Sequence, residues 1–285
     1  MPIIAVVGAT SRTGRRLVSV LAKHGPVRAV GRDLGRLAAF GAIAEIRKAD
    51  IEDADALRAA LDDAEVVVSC VYPGFLPRIL SQLPRGVGRI VAFGSTRKFT
   101  RFPDPLALDV RRAEDALGLS GLPGLMLHPT MIYGGGEDRT IARLFRLLRR
   151  QPFVPLPGGG RNLVQPVYID DAVAAAASAV RAPLAGTPSI VLAGPEPIAY
   201  ADMVRTCARA IGRRAIILNV PLRPVLAATS VAEAIGLPWP VRRDELLRLS
   251  EDRAFSAADM IERLGVRPRP FAAGLAALLA ETAGQ

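Results

Sequence analysis

The sequence predicts an α/β protein, a doubly wound parallel sheet followed by a smaller, mainly helical C-terminal lobe. Three observations carry this. Short apolar runs alternate with helical patterns through the first 130 residues, as parallel strands joined by crossover helices require. A glycine-bearing turn, Val7-Gly8-Ala9-Thr10-Ser11-Arg12-Thr13-Gly14, joins the first apolar run to the first helical pattern. Half of the 285 residues are apolar and 22% are charged, enough to cover both faces of a sheet.

In chain order, residues 3–7 read as a buried strand, and the glycine turn leads into a helix from about Arg12 to His24. Residues 27–31 form the second strand, with Asp33 placed to cap the next helix. The third strand is 43–47, after which Asp53 caps a helix through Leu61. Strands follow at 66–70, 89–94 and 125–128, with a helix over 106–119. Connections this short make right-handed βαβ units. Beyond residue 130 the rhythm changes. IYGGGEDR reads as a loop into an arginine helix, PFVPLPGGGR as a Pro/Gly connection, and VQPVYIDD as a short strand capping an alanine-rich helix over 171–181. SIVLAG (189–194) is one more strand, and from Pro195 the pattern is helical, with proline-rich breaks at 237–240 and 267–270. The expected division is a nucleotide-binding domain over 1–194, with 133–165 contributing to the substrate side, and a lobe over 195–285. Such a lobe covers the carboxyl edge of the sheet, where ligands bind in these folds.

Composition excludes several classes. No apolar stretch is long enough for a membrane span, and residues 1–8 carry no basic leader, so the expected location is cytoplasmic. Cys70 and Cys207 read as reduced, packed thiols, and no His/Cys/Asp cluster predicts a metal. The formal charge is +10, yet Lys23, Lys48 and Lys98 are the only lysines. Arginine-rich coding and anionic cofactors account for this surplus without a nucleic-acid partner. In RLFRLLRR, Leu144, Leu147 and Leu148 share one helical face, and Arg143, Arg146, Arg149 and Arg150 occupy the others. That face is either solvated or a patch for phosphate or another protein. Asp170-Asp171 looks like a metal-binding pair but reads in context as a helix cap and a first-turn acid, His24 reads as a helix-end residue, and His128 as a buried structural residue or a candidate site residue.

The glycine turn is the strongest signal. Gly8 permits the tight exit from the strand, and Gly14 permits close packing of helix on sheet. The helix amino terminus then offers its N–H groups to a dinucleotide pyrophosphate. Ser11 stands where the fingerprint usually has its middle glycine, and Thr10, Arg12 and Thr13 complete the loop. Arg32 follows the second strand, where NAD enzymes place an acid for the ribose 2′-hydroxyl. Its guanidinium suits a 2′-phosphate, and Arg12 could close on the same group. NADP(H) is therefore favoured over NAD(H), unless Asp33 points inward. Asp50 is placed to meet the adenine amino group or to start the next helix.

The blocks GATSRTG, KADIED, VAFGST, HPTMIYGGGEDR and QPVYIDDAV together resemble the extended or atypical short-chain dehydrogenases/reductases, which have a Rossmann-type fold. Within them the chain is similar to NAD-dependent epimerase/dehydratase-like proteins and to those related to the NADPH-binding accessory subunit of respiratory complex I. The resemblance implies that Val71 to Gly74 and Gly94 to Thr96 line the nicotinamide side, and that Pro129 to Ile132 pass close to it. Active members carry a Tyr-x-x-x-Lys pair on the helix after the fifth strand. In PLALDVRRAEDAL those positions fall at Ala107 and Arg111. Arg111 could hold a ribose hydroxyl but is no tunable acid or base. Ser95 matches the family's serine, and Tyr72, Lys98 and Tyr133 are the other candidate proton donors. Their plainer roles are a turn hydroxyl, a lid, a surface residue and a core residue, respectively. Two functions stay open: a reductase or epimerase-like enzyme with an altered site, or a non-catalytic NADPH-binding sensor or assembly protein. Val164 stands where nucleotide-sugar enzymes carry a phosphate-gripping arginine. Together with the apolar segment PLRPVLAATSVAEAIGLPWP, this points to a less polar small-molecule substrate. The oligomeric state stays open.

Overall fold

A computed structural model describes residues 1–135, 138–183, 189–234, 247 and 250–283. The first half alternates as expected: β1 (Ile4–Val7), α1 (Arg12–Leu21), β2 (Val27–Gly31), α2 (Leu34–Leu37), β3 (Glu45–Lys48), α3 (Ala54–Ala60), β4 (Val66–Ser69), α4 (Leu76–Ser81), β5 (Arg89–Phe93), α5 (Pro105–Leu119) and β6 (Gly124–Pro129). β7 (Ile132–Tyr133), α6 (Arg139–Arg150), β8 (Phe153–Pro157), β9 (Leu163–Val164), β10 (Val167–Tyr168), α7 (Ile169–Ala179) and β11 (Ser189–Leu192) follow. The remainder is β12 (Ile198–Ala199), α8 (Tyr200–Ala210), β13 (Ile216–Val220), α9 (Leu222–Ala234), α10 (Ala258–Leu264) and α11 (Phe271–Ala283).

Seven parallel strands form the central Rossmann-type sheet in the order β11-β6-β5-β4-β1-β2-β3. Every residue of β1, β4 and β6 is buried, which is why these strands read as unbroken apolar runs rather than alternating ones. Val6, Leu17, Val18, Leu127 and Val173 belong to the core on one face of the sheet. Val7, Leu57, Val67, Ile79 and Leu117 belong to the core on the other. From β1 the chain goes to β2 on one side, while β4 pairs with β1 on the other. The crevice at the carboxyl ends of β1 and β4 is thus the switch point, where such sheets bind ligands.

The region after residue 150 departs from the sequence reading. PFVPLPGGGR is not merely a connection, since its first half is β8, paired in parallel with β13. Nor is the chain wholly helical after Pro195, because β12 and β13 both lie there. The prolines hid β8. The Ile216 N–H donates to the Pro152 carbonyl at 2.8 Å, so even-numbered positions of β8 face the partner strand. Pro155 and Pro157 sit where an N–H would point away, and their missing donors leave the ladder intact. Asp170 is also no cap: α7 starts at Ile169 behind Tyr168, and both Asp170 and Asp171 lie in its first turn. The expected break at 267–270 separates α10 from α11. The break at 237–240, residues 235–240 of the apolar segment, and 136–137 of the glycine loop after β7 lie outside the described residues.

Candidate functional site

At the switch point the chain must turn from β1 into α1 within a few residues. Gly8 does so with φ of 80°, a conformation that costs a side-chain-bearing residue dearly. A Cβ there would also lie 2.6 Å from Val71 Cγ1. At Gly14 a Cβ would overlap the Gly8 carbonyl oxygen, so both glycines are required by space. Ser11 caps α1, its Oγ accepting from the Gly14 N–H at 3.0 Å. The substitution of the fingerprint's middle glycine is thereby put to structural use. The amino terminus of α1 opens on a cavity of about 560 Å³ lined by Gly8, Thr10, Ser11, Arg12, Asp50 and Val71, among others. Thr13 is half-buried on the first turn.

Arg32 and Arg36 both line this cavity. Asp33 caps α2, one carboxylate oxygen accepting from the Arg36 N–H at 3.0 Å, and it is not among the residues that line the cavity. The Arg36 guanidinium donates to the Thr10 carbonyl at 3.0 Å, which fixes it over the glycine loop. Arg12 lines the cavity with Arg32, and its guanidinium donates to the Ile132 carbonyl at 2.9 Å and lies 3.8 Å from Asp138, which braces α1 against β7. Arg36 is a third arginine on this cavity that the sequence reading missed; its signal was its place on the short helix that follows Arg32 and the Asp33 cap. Asp50 lies on the cavity wall and accepts from the Glu52 N–H at 3.0 Å; Asp53, not Asp50, caps the next helix.

At the other end, Ser95 caps the 3-10 turn Thr96–Phe99, accepting from the Arg97 N–H at 3.1 Å. Its own N–H donates to His128 Nδ1 at 3.2 Å. Gly94 has no side chain because His128 occupies the space, with Nδ1 2.5 Å from where a Cβ would stand. Thr96 donates to the Pro129 carbonyl at 3.2 Å. Lys98 is not a surface residue: its Nζ reaches both Glu114 carboxylate oxygens at 2.7 Å, and Glu114 Oε1 lies 3.4 Å from His128 Nε2. Burial, reinforced by Lys98, pushes His128 down to about 4. The ring is therefore neutral, with Nδ1 accepting.

Ala107 is buried. Arg111 does not reach towards a ribose, because its guanidinium grips the Lys98 carbonyl (2.9 Å from Nε) and the Thr100 carbonyl (3.4 Å). Tyr72 lines the same cavity as Arg32 and donates to Asp109 Oδ2 at 2.6 Å. Burial and that carboxylate push its phenol up to about 12. Tyr133 is corrected outright as a proton donor. It is fully buried, donates to the Phe271 carbonyl at 3.1 Å, and packs on Tyr168 and Phe271. Beyond the Ser95 turn, a second cavity of about 300 Å³ lies between residues 96–102 and 250–255. Phe99 and Phe255 meet on its wall with ring centroids 5.4 Å apart and ring planes tilted by 41°. Asp170 pairs with Arg16 and Asp171 with Arg269, and among the described residues no cluster could hold a metal.

A family model described as NAD(P)H-binding matches residues 8–143, and this part of the chain is an NAD(P)H-binding domain. The chain is 25% identical to NADH dehydrogenase (ubiquinone) 1 alpha subcomplex subunit 9, mitochondrial, of Arabidopsis thaliana, over 91% of this chain and 71% of the plant protein. It is 24% identical to a ceramide reductase of Caulobacter vibrioides, over 81% and 78%. Its fold is that of the NADPH-dependent quinone oxidoreductase of Escherichia coli solved with NADPH, with a TM-score of 0.76 at 20% identity over 97% of this chain and 99% of that one.

Proposed function

We propose that the NAD(P)H-binding domain takes NADP(H) and serves an oxidoreductase that passes hydride to a small organic acceptor without a Tyr-x-x-x-Lys pair. One observation carries the cofactor preference. Arg32 and Arg36 face the cavity together, while Asp33, the side chain that would accept from a ribose 2′-hydroxyl, is turned to the Arg36 N–H. Two guanidinium groups suit a 2′-phosphate. The glycine loop and α1 hold the pyrophosphate, and Val71 and the Ser95 turn border the nicotinamide end. The nicotinamide supplies the hydride when bound.

The acceptor class follows from proton supply. Tyr72 is held protonated and bonded to Asp109, His128 is neutral and buried, and Lys98 is committed to Glu114. Neither Tyr72 nor His128 is poised near neutrality as a general acid should be. The reading therefore favours an acceptor whose reduced form is a stabilised anion that takes its proton from water, such as a conjugated carbonyl or quinone. Phe99 and Phe255 at the second cavity offer flat apolar surface for such a molecule.

The same absences favour a second reading, a non-catalytic NADPH-binding sensor or assembly protein, to which the similarity with the plant complex I subunit lends weight. Following NADPH absorbance with the purified chain and a panel of quinones and enones separates the two. Turnover supports the enzyme, and NADPH that binds yet stays reduced across the panel supports the binding module. NADH binding as tightly as NADPH would sink the cofactor assignment.

A further inference from the structure

The ribbon formed by β8 and β13 stands outside the central sheet and presents apolar side chains to solvent. Ile216 pairs with Phe153 and Leu218 with Pro155, so the four share one face in two adjacent rungs. Phe153, Ile216 and Leu218 are 48%, 48% and 45% exposed, and Pro155 is exposed as well. The intervening Val154 and Leu156 are buried. The ribbon thus has an inner face in the core and an outer one in water.

Both strands are led in by exposed arginine pairs, Arg149-Arg150 before β8 and Arg213-Arg214 before β13. The bond from the Ile216 N–H to the Pro152 carbonyl draws the two lead-ins together at one end of the ribbon. Arginine dominates the flanking sequence: residues 139–162 carry six arginines and no acid, and residues 203–232 carry five arginines and no acid, of which Arg205 pairs with Asp202 just outside that stretch. A row of large apolar side chains rimmed by cations on one side is the pattern of an interfacial membrane site.

We propose that this ribbon docks the protein onto an anionic lipid bilayer, with Phe153, Pro155, Ile216 and Leu218 entering the interface and the arginine pairs meeting lipid phosphates. A nucleic acid would engage the arginines and leave the apolar row wet. A second copy of the chain would press the same arginine pairs against each other. An anionic bilayer satisfies both halves of the surface at once. The proposal is independent of the cofactor reading, since none of these residues lines the cofactor cavity.

Co-sedimentation of the full chain with vesicles tests it. Binding is expected to vesicles of equal parts phosphatidylcholine and phosphatidylglycerol, and not to phosphatidylcholine alone. Arg213→Gln/Arg214→Gln should weaken it roughly fivefold for each arginine removed. Ile216→Ser/Leu218→Ser should weaken it at unchanged arginine content, with the thermal midpoint reporting that the fold is kept; Leu218→Ser alone serves if the double variant is unstable. Absence of binding to the mixed vesicles overturns the proposal. So does binding untouched by the serine variants, which would reduce the effect to charge alone. Retention on duplex DNA or on an acidic protein without vesicle binding would also overturn it.

Discussion

At the scale of single residues, two side chains on either side of the cofactor domain make the site testable. Arg36 lies outside the glycine loop's sequence signature, yet its guanidinium is anchored on that loop's Thr10 carbonyl at the cavity wall. A charged hydrogen bond to a phosphate contributes enough that Arg36→Ala should weaken NADPH binding about tenfold or more. NADH, lacking that phosphate, should lose little, and titration of both cofactors by fluorescence checks the difference. His128 governs the pH response. Its ring is wholly buried, accepts from the Ser95 N–H and is pushed from 6.5 to about 4, first by burial and then by Lys98. The unfolded chain takes up this proton at higher pH than the folded one, so the stabilisation is whole above pH 6.5 and is lost as pH falls towards 4. The loss should reach about 3 kcal/mol. For Glu114, burial acts upward but the bond from Lys98 and the neighbouring His128 prevail, and its carboxyl is held below the ordinary value, which adds to the loss at the acid end. Denaturant melts between pH 7 and 4 should show the slope, and His128→Asn should flatten it.

At the scale of elements, helices and strands are held by contacts that local patterning does not encode. Asp171 looks like half of a metal-like pair in the sequence, but in the fold it accepts from the Arg269 backbone at 2.8 Å and from its guanidinium at 2.9 Å. It therefore ties α7 to the segment before α11. Asp171 is buried, and removing it leaves Arg269 without that partner; Asp171→Ala should cost roughly 2 kcal/mol, read as a lower denaturant midpoint. Tyr133 and Arg111 show the same principle for the site. A tyrosine beside a glycine loop and an arginine in the lysine position both read as functional. Yet Tyr133 is sealed beneath Phe271, and Arg111 is spent on the carbonyls of the Lys98–Thr100 turn. The inner strands β1, β4 and β6 were legible because burial on both faces leaves an apolar run. β8 was not, because its alternate prolines imitate a loop.

At the scale of the whole molecule, the C-terminal part shares a core with the cofactor domain. Met260, Leu264, Phe271, Leu275 and Leu278 belong to the same buried cluster as Val6, Leu17 and Ala172, and Glu281 on α11 meets Arg16 on α1 at 2.7 Å. A chain ended at residue 194 should therefore expose apolar surface, bind a hydrophobic dye and lose a cooperative thermal transition. A fragment that melts like the full chain would show two independent units. The parallel sheet, the helix that follows β1 and the glycine loop between them could be read from residue order alone. Those features depend on short-range periodicity and on φ values and close approaches that only glycine allows. Residue identity alone put Ala107 and Arg111 at the positions where the family resemblance leads one to expect a Tyr-x-x-x-Lys pair. Only tertiary structure brought Arg36 to the cavity wall with Arg32, turned Asp33 to the cap of α2, and joined Lys98 and Glu114 to the buried His128. Those outcomes depend on where guanidinium, carboxylate and imidazole groups find partners across the fold, and residues far apart in the chain carry no local signal of that meeting.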